Sequence, residues 1–429
     1  MTLLSRPPAT AGASARPSGG RSRLAALALA ALTTLATFTA AGPAATPAQA
    51  APQDCPRGYL CVWQTDHATG AMLKITSSKP TLGSWDNKIS AVSNRSNFYA
   101  CAYNEPYYKT SGNWIVGSRE PDPGGTEWGY FGTPSVSSVK LVATERECYG
   151  PAYPDWSVRW DSASRGSFAN LDGDNRSDLL TRDKAGRLWF LPGNGTGRLV
   201  GGGWNAMDVL TRHGDFTGDA REDLVAREAS TGKLWLYPGT GTGSFGARKL
   251  IGSGGWNTMS RIVAFGDLTG DKRSDLLAVE KSTGKLWLYP GTASGALGAR
   301  KLFGSGGWNT MDALTAAGDL TGDGKTDLIA REPSTGKLWR YDGRTGSIAP
   351  RVLIGGGWNV MGTLVAAGDS ELGDGRNDLY AITNSRFTGT ADSSCVGASC
   401  LLTYANKGNG TFYPGSWDGS LWYDMTAVL

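Results

Sequence analysis

An eleven-residue phrase recurs along the second half of this chain. It reads ANLDGDNRSDL from Ala169, GDFTGDAREDL from Gly214, GDLTGDKRSDL from Gly266 and GDLTGDGKTDL from Gly318. A fifth copy, GDSELGDGRNDL from Gly368, carries one extra residue. A repeat of roughly fifty residues restricts the chain to a solenoid or a propeller, because one unit cannot bury its own apolar face and must stack on its neighbours. Inside the phrase the carboxylates fall at alternate positions, which is how a loop wraps a hard cation.

The rest of the unit is equally regular. In the fourth unit, Asp312–Asp319 alternates weakly, the acidic loop follows, and Leu328-Ile329-Ala330 reads as a short strand. Ser334-Thr335-Gly336 turns, and Lys337–Tyr341 alternates with period two. Arg344-Thr345-Gly346 turns again, and Val352-Leu353-Ile354 leads to Gly357-Trp358-Asn359. Short strands split by Gly-rich turns predict an all-β blade of four strands, and no stretch sustains a helical period. Trp189, Trp235, Trp287 and Trp339 share one position. Trp204, Trp256, Trp308 and Trp358 share another, followed by Met207, Met259, Met311 and Met361. Trp422 and Met425 keep that spacing, so a fifth unit ends there, with an insertion holding Cys395 and Cys400.

The count constrains closure. Asp424–Leu429 matches the first half of a strand whose second half is Ser167–Asn170. If these ends meet, the β-propeller closes as five blades with no open sheet edge. Five blades are favoured over seven, because two more would have to come from residues 51–160, where no copy of the phrase occurs.

Numbered from Asp319, the fourth loop offers Asp319 at position one, Thr321 at three, Asp323 at five, the carbonyl of Lys325 at seven and Asp327 at nine. The second offers Asp215, Thr217, Asp219, Arg221 and Asp223, and the third Asp267, Thr269, Asp271, Arg273 and Asp275. The first offers Asn170, Asp172, Asp174, Arg176 and Asp178. The fifth, with Asp369, Glu371, Asp374 and Asp378, reads as out of step by one residue and as an empty site. Oxygen-only ligands in a flexible ring suit Ca2+ better than zinc, or than magnesium with its strict octahedron. Plain Asp-Gly turns are the alternative, and recurrence in register favours calcium. Position six wants a residue tolerant of positive φ; Gly324 and Asn175 qualify, whereas Ala220 and Lys272 do not.

On these phrases, residues 161–429 resemble the FG-GAP/VCBS repeats also seen in integrin α-chain heads. The resemblance implies that calcium is mainly structural, bracing turns of a propeller. The G-K-L-W-L-Y and G-G-W-N-x-M phrases also look like those of tachylectin-type five-bladed lectins. Two readings of the tryptophans follow. Trp–Asn pairs such as Trp256–Asn257 suit sugar rings, while a residue every blade needs is more often packing between blades.

The first fifty residues read as an export signal. Arg6, Arg16, Arg21 and Arg23 precede an apolar run from Leu24 to about Ala41, and Pro47-Ala48-Gln49-Ala50 closes it. The whole chain holds 42 basic and 38 acidic residues. Those four arginines account for the excess, so the chain is expected to bind neither nucleic acid nor membrane. A secreted, extracellular monomer is expected. The six cysteines suit an oxidising compartment. Proximity suggests Cys55 with Cys61, Cys395 with Cys400 and therefore Cys101 with Cys148; distances decide. Zinc is the rival, but no C-x-x-C spacing occurs.

A Pro/Gly-punctuated linker over 149–160 separates the repeats from residues 51–148. That earlier segment opens Cys55-Pro56-Arg57-Gly58-Tyr59-Leu60-Cys61-Val62-Trp63, with Gly70 permitting a tight reversal. The order recurs loosely from Tyr103 to Gly112, then Ser135–Val139. It resembles a βγ-crystallin-like double Greek key, and more narrowly a small secreted peptidase-inhibitor family. The calcium signature of that fold fits Asp86, Asn87 and Ser90, but Ala91 breaks it, and Thr133 and Pro134 stand where the second ligand pair belongs.

A hydrolase needs a positioned base, usually His. The two histidines are His67, in a hairpin loop, and His213, at a position filled elsewhere by Phe265, Ala317 and Ala367. No G-x-S-x-G or H-E-x-x-H occurs. The expected function is therefore non-catalytic binding of an extracellular protein, in particular a protease. A lectin-like propeller binding glycans is one alternative, and a glycan-active hydrolase with a carboxylate pair is another.

Overall fold

The computed structural model describes residues 54–108, 113–116, 127–130, 135–149, 153–158, 168–371, 373–389, 397–419 and 422–429. The expected export signal, Gly112, Thr133, Pro134, Ser167 and Cys395 lie outside these residues. Among the described residues no helix is long and apolar enough to cross a membrane.

From residue 168 onward the repeat builds five four-stranded antiparallel sheets. Sheet two runs Met207–Thr211, Leu224–Glu228, Leu234–Tyr237, Lys249–Gly252, in spatial order. Sheets three and four repeat it with Met259–Gly266 and Ala313–Ala316 innermost, and sheet five with Met361–Ala366. Sheet one takes its innermost strand from the far end of the sequence: Met425–Val428 pairs with Leu179–Asp183, and Leu429 and Leu180 exchange backbone hydrogen bonds.

The innermost strands surround one axis. A cavity of about 170 Å³ is lined by Leu210, Ile262, Leu314, Leu364 and Val428, one from each. Burial follows the sequence pattern. The third strand of sheet two alternates, with Leu234 and Leu236 buried and Trp235 and Tyr237 half-buried. The second strand, sandwiched on both faces, is buried from Leu224 to Arg227. Each seam between neighbouring sheets has its own apolar cluster. Between sheets two and three it joins Val225, Leu234 and Leu236 to Trp256, Met259 and Leu276. Between five and one it joins Tyr380, Leu401 and Trp422 to Leu179 and Leu191.

Arginines lock several seams. Arg227 donates from Nη1 to the carbonyls of Trp256 (2.8 Å) and Met259 (2.7 Å) in the next unit. Its Nε and Nη2 both bond the Asp208 carboxylate at 2.8 Å. Arg331 repeats this with Trp358, Met361 and Asp312. Arg182 reaches Trp204 (3.0 Å) and Met207 (2.5 Å), with Thr426 in place of the aspartate. Sheet three has Val279 there, and Arg261 instead donates to the Asp312 carbonyl at 2.9 Å.

Residues 54–149 form two further sheets. One orders Met72–Ile75, Leu60–Trp63, Ala91–Asn94, Glu127–Tyr130; the other orders Asn113–Val116, Tyr99–Tyr103, Ser138–Val142. Each half lends a segment to the other: Glu127–Tyr130 joins the first sheet, and Lys79 bridges Val139 in the second. Leu60, Val62, Ile75, Val92, Ala100 and Val139 share one core cluster. Disulfides join Cys55 to Cys61 and Cys101 to Cys148. Cys400 is also disulfide-bonded.

Within the stretch read as a linker, the described residues 153–158 are packed rather than free. Residues 49–429 cluster as one unit. Trp156 enters the seam between sheets five and one, and Val158 N–H bonds the Gly193 carbonyl at 2.9 Å. The short helix Arg146–Tyr149 also touches the ring. Arg146 N–H bonds Asp424 Oδ2 at 3.0 Å, and Glu147 pairs with Arg187.

Candidate functional site

In units two to five the acidic loop joins the innermost strand of a sheet to the second; in unit one it leads into the second strand, the innermost coming from the C-terminal segment. Its first aspartate folds it. Asp319 Oδ1 accepts from the N–H groups of Thr321 (3.1 Å), Gly322 (2.6 Å) and Asp323 (3.2 Å), and Oδ2 from Gly324 (2.6 Å). Asp215 and Asp267 cap their loops in the same way. The ninth residue is fully buried. Asp327 Oδ2 accepts from Leu320 N–H at 3.0 Å, while Oδ1 accepts from Gly343 N–H, in the next hairpin, at 2.9 Å. Asp223 and Asp275 repeat both contacts. At position seven, Arg221 and Arg273 turn their side chains back toward Asp219 and Asp271.

The first loop is built differently. Asn170 stands at position one, and its Oδ1 accepts from Gly173 N–H at 2.7 Å. Oxygens of Asp172, Asp174 and Asp178 lie within 4.8 Å of one another, the only such carboxylate trio among the described residues. Asp178 Oδ1 is buried with no hydrogen-bond partner. Burial, then the Asp172 charge, pushes the Asp178 carboxyl up to about 8. In loop four the Thr321 hydroxyl, at position three, is likewise buried without a partner. Burial raises Asp223, Asp327 and Asp378 to about 6. Orphaned oxygens beside crowded carboxylates are what a hard cation satisfies, and an all-oxygen set fits calcium.

Two expectations change. Ala220 (φ 64) and Lys272 (φ 66) adopt the same left-handed conformation as Asn175 (φ 67) and Gly324 (φ 79), so the loops keep their shape and carry the strain. The fifth loop recovers its register. Gly375 N–H bonds Asp369 Oδ2 at 2.6 Å and Arg376 N–H bonds Asp374 Oδ1 at 3.1 Å, as at the matching positions of loop four. Asp378 accepts from Ser370 (3.0 Å), Glu371 (2.9 Å) and Asn406 (2.9 Å). The extra residue falls between Glu371 and Gly373, at Leu372, which lies outside the described residues.

The two tryptophan sets part ways. Trp204, Trp256, Trp308 and Trp358 are buried and pack on Tyr237, Tyr289, Tyr341 and Tyr404, with ring centroids 4.6–4.8 Å apart. They are seam packing. Trp235, Trp287 and Trp339 are half-buried, and Arg248, Arg300 and Arg351 lie over them at 4.0, 4.0 and 4.1 Å. Between sheets one and two a groove of about 390 Å³ is walled by the Gly201–Gly203 backbone, Trp204, Glu228, Tyr237 and Arg248. Glu228, Glu280 and Glu332 are each held by a threonine hydroxyl three residues on. Sheet one has Gly197 at the arginine position, packed under Tyr153, whose ring lies 5.3 Å from Trp189. Sheet five has Gly415 and Leu402 in place of the Arg and Trp. Three units therefore carry the full set.

His213 serves no such surface. It is buried at φ 83, stacked on Phe168 at 4.3 Å, with Nδ1 3.2 Å from Glu222 Oε1. Burial holds its pKa below the usual value.

Residues 48–115 match the family model of peptidase inhibitor family I36. Residues 215–278 and 267–330 match the FG-GAP-like repeat. No curated protein matches the chain. Among solved structures, an Agrocybe aegerita lectin recognising non-reducing terminal N-acetylglucosamine is similar at 18% identity and a TM-score of 0.36, covering 87% of this chain and 95% of that one. A luciferin-regenerating enzyme is similar at 9% identity and 0.34, covering 62% and 77%. The Dos1 propeller is similar at 11% and 0.28, covering 58% of each. The chain thus matches a peptidase-inhibitor family model ahead of FG-GAP-like repeats, and the all-β propeller is read from its own sheets.

Strain at position six gives a direct test. Lys272→Gly should raise unfolding free energy by about 1 kcal/mol, and Gly324→Ala should lower it by about as much. A Cβ at Gly324 would meet nothing within 4 Å, so that loss is conformational alone. Denaturant unfolding measures both.

Proposed function

We propose that this chain is a secreted, non-catalytic binding protein in which a module that blocks extracellular proteases is carried on a calcium-braced propeller. The observation that carries the reading is the inhibitor-family match over residues 48–115, which falls on the disulfide-stapled sheets. Disulfides also suit an extracellular setting. The full chain should slow at least one enzyme in a panel of secreted serine and metalloproteases; no inhibition at micromolar protein would end this reading.

Calcium in this reading is architectural. Asn170, Asp172, Asp174 and Asp178 would hold it in the first loop, and the matching residues in the others. A bound divalent ion offsets the charge of carboxylates that are buried at the ring. The pH dependence follows. Asp178, Asp223, Asp327 and Asp378 keep their protons to higher pH folded than unfolded. The stability they contribute without calcium is therefore present below about pH 4 and lost as pH rises through 6 to 8. With chelator the melting temperature should fall between pH 5 and pH 8, and calcium should abolish the fall. A melt indifferent to calcium at pH 8 would reject the assignment.

One observation favours a second reading, glycan binding. Trp, Tyr, Arg and Glu recur together in three units, offering aromatic faces and charged hydrogen-bonding groups to a sugar. A glycan array probed with calcium present should then show binding that weakens roughly tenfold or more in the Arg248→Ala, Arg300→Ala, Arg351→Ala triple variant. An empty array counts against it.

A further inference from the structure

Tyr107 is the most exposed large apolar side chain among the described residues, at 67%. Its backbone is left-handed, with φ 60 and ψ 30, and Tyr108 follows at φ 61. For a residue with a Cβ each such conformation is strained. Two in succession would relax unless the surroundings held them. They are held from both sides. Tyr107 N–H bonds the Pro80 carbonyl at 2.7 Å. Tyr108 N–H bonds Ser138 Oγ at 3.1 Å, and that hydroxyl donates to the Glu105 carbonyl at 2.7 Å. The Tyr108 ring packs edge-on against Tyr103 at 5.8 Å. Tyr103 ends the strand that the Cys101–Cys148 disulfide fastens, and its hydroxyl donates to the Cys148 carbonyl at 3.2 Å.

Stability alone selects against this arrangement. Glycine at either position would remove the strain, and a polar residue at 107 would remove apolar area from water. Strain that the surroundings enforce, beneath a rigid aromatic pointing outward, is the form of a preorganised binding contact. We infer that Tyr107 is the anchor by which this module grips a protease, its ring entering a pocket of the enzyme that accepts an aromatic side chain. The inference rests on the inhibitor reading above and names the contact residue within it.

The backbone decides the manner of contact. An extended peptide docks by main-chain pairing, with its side chains alternating between pockets. Consecutive left-handed residues cannot pair in that way. The peptide bonds flanking Tyr107 are therefore not offered for cleavage, and the contact is a side-chain plug rather than a substrate mimic.

The test uses the full chain and those panel proteases that it inhibits. Tyr107→Ala should weaken inhibition roughly tenfold or more without lowering the melting temperature. Tyr107→Phe should inhibit like the parent. Tyr107→Gly should raise the melting temperature and still lose inhibition. Tyr107→Asn, which tolerates left-handed backbone, gives the same comparison should the alanine variant misfold. Mass spectrometry after incubation should find residues 106–108 uncut. Inhibition retained by the Ala, Gly and Asn variants, or cleavage beside Tyr107, overturns the inference while leaving the inhibitor reading standing. A parent chain that inhibits no enzyme overturns both.

Discussion

The ring depends on one pairing: Met425–Val428 against Leu179–Asp183. Every sheet covers its neighbour on either side, so an open array would leave two terminal sheets with bare apolar faces. The seam that this pairing completes holds Leu179, Leu191, Tyr380, Leu401 and Trp422, all nearly or fully buried. Exposing a single large apolar side chain of this kind costs about 1.5–3 kcal/mol. Loss of the last strand would thus expose the whole seam and unpair the inner edge of sheet one.

Closure fixes where charge must go. The innermost strands converge on a narrow axis and turn back through the acidic loops. The ninth residue of each loop is driven inside, and in loops two to five its two oxygens tie the loop to the following hairpin. That tie is also a liability, because a carboxylate with little water needs a counter-charge. The clamp arginines Arg227 and Arg331 do not supply it; near loop one, buried Arg212 supplies part. Arg227 and Arg331 spend their donors on backbone carbonyls and on Asp208 and Asp312, away from the loops. The loop shape that closes the turn is also the shape that concentrates oxygens.

The periodic parts of this design were legible in the sequence. The strand read at Lys337–Tyr341 has those bounds, and the C-terminal segment sits where the repeat phase placed it. Tryptophan was harder. Periodicity marked both sets but could not separate the buried Trp204 set from the half-buried Trp235 set, because each recurs once per unit. The fifth loop misled because counting residues ignores that the flanks of an extra residue can keep their partners. The arginine clamps were missed altogether. An arginine on a strand reads as a solvated side chain, and its main partners are carbonyls, which leave no mark in sequence. A signal did exist: Ala226-Arg227-Glu228 and Ala330-Arg331-Glu332 share a register, each with an aspartate directly after Met207 or Met311. The left-handed Tyr107 and Tyr108 had no signal, since nothing about tyrosine encodes positive φ.

The segment read as a linker changes the mechanics of the whole chain. Trp156 belongs to the closing seam, and the helix carrying Cys148 bonds Asp424, just before the closing strand. From Asp424 the path runs through Arg146 to Cys148, across the disulfide to Cys101, and along two residues of strand to Tyr103, against which Tyr108 packs. The links are the bond from Arg146 N–H to the fully buried Asp424 carboxylate, the covalent chain with its disulfide, and the ring contact of Tyr108 with Tyr103. The strained platform is thus anchored to the ring at the place where the ring closes. Holding two left-handed tyrosines requires surroundings that do not yield, and this path ties them to the closed ring.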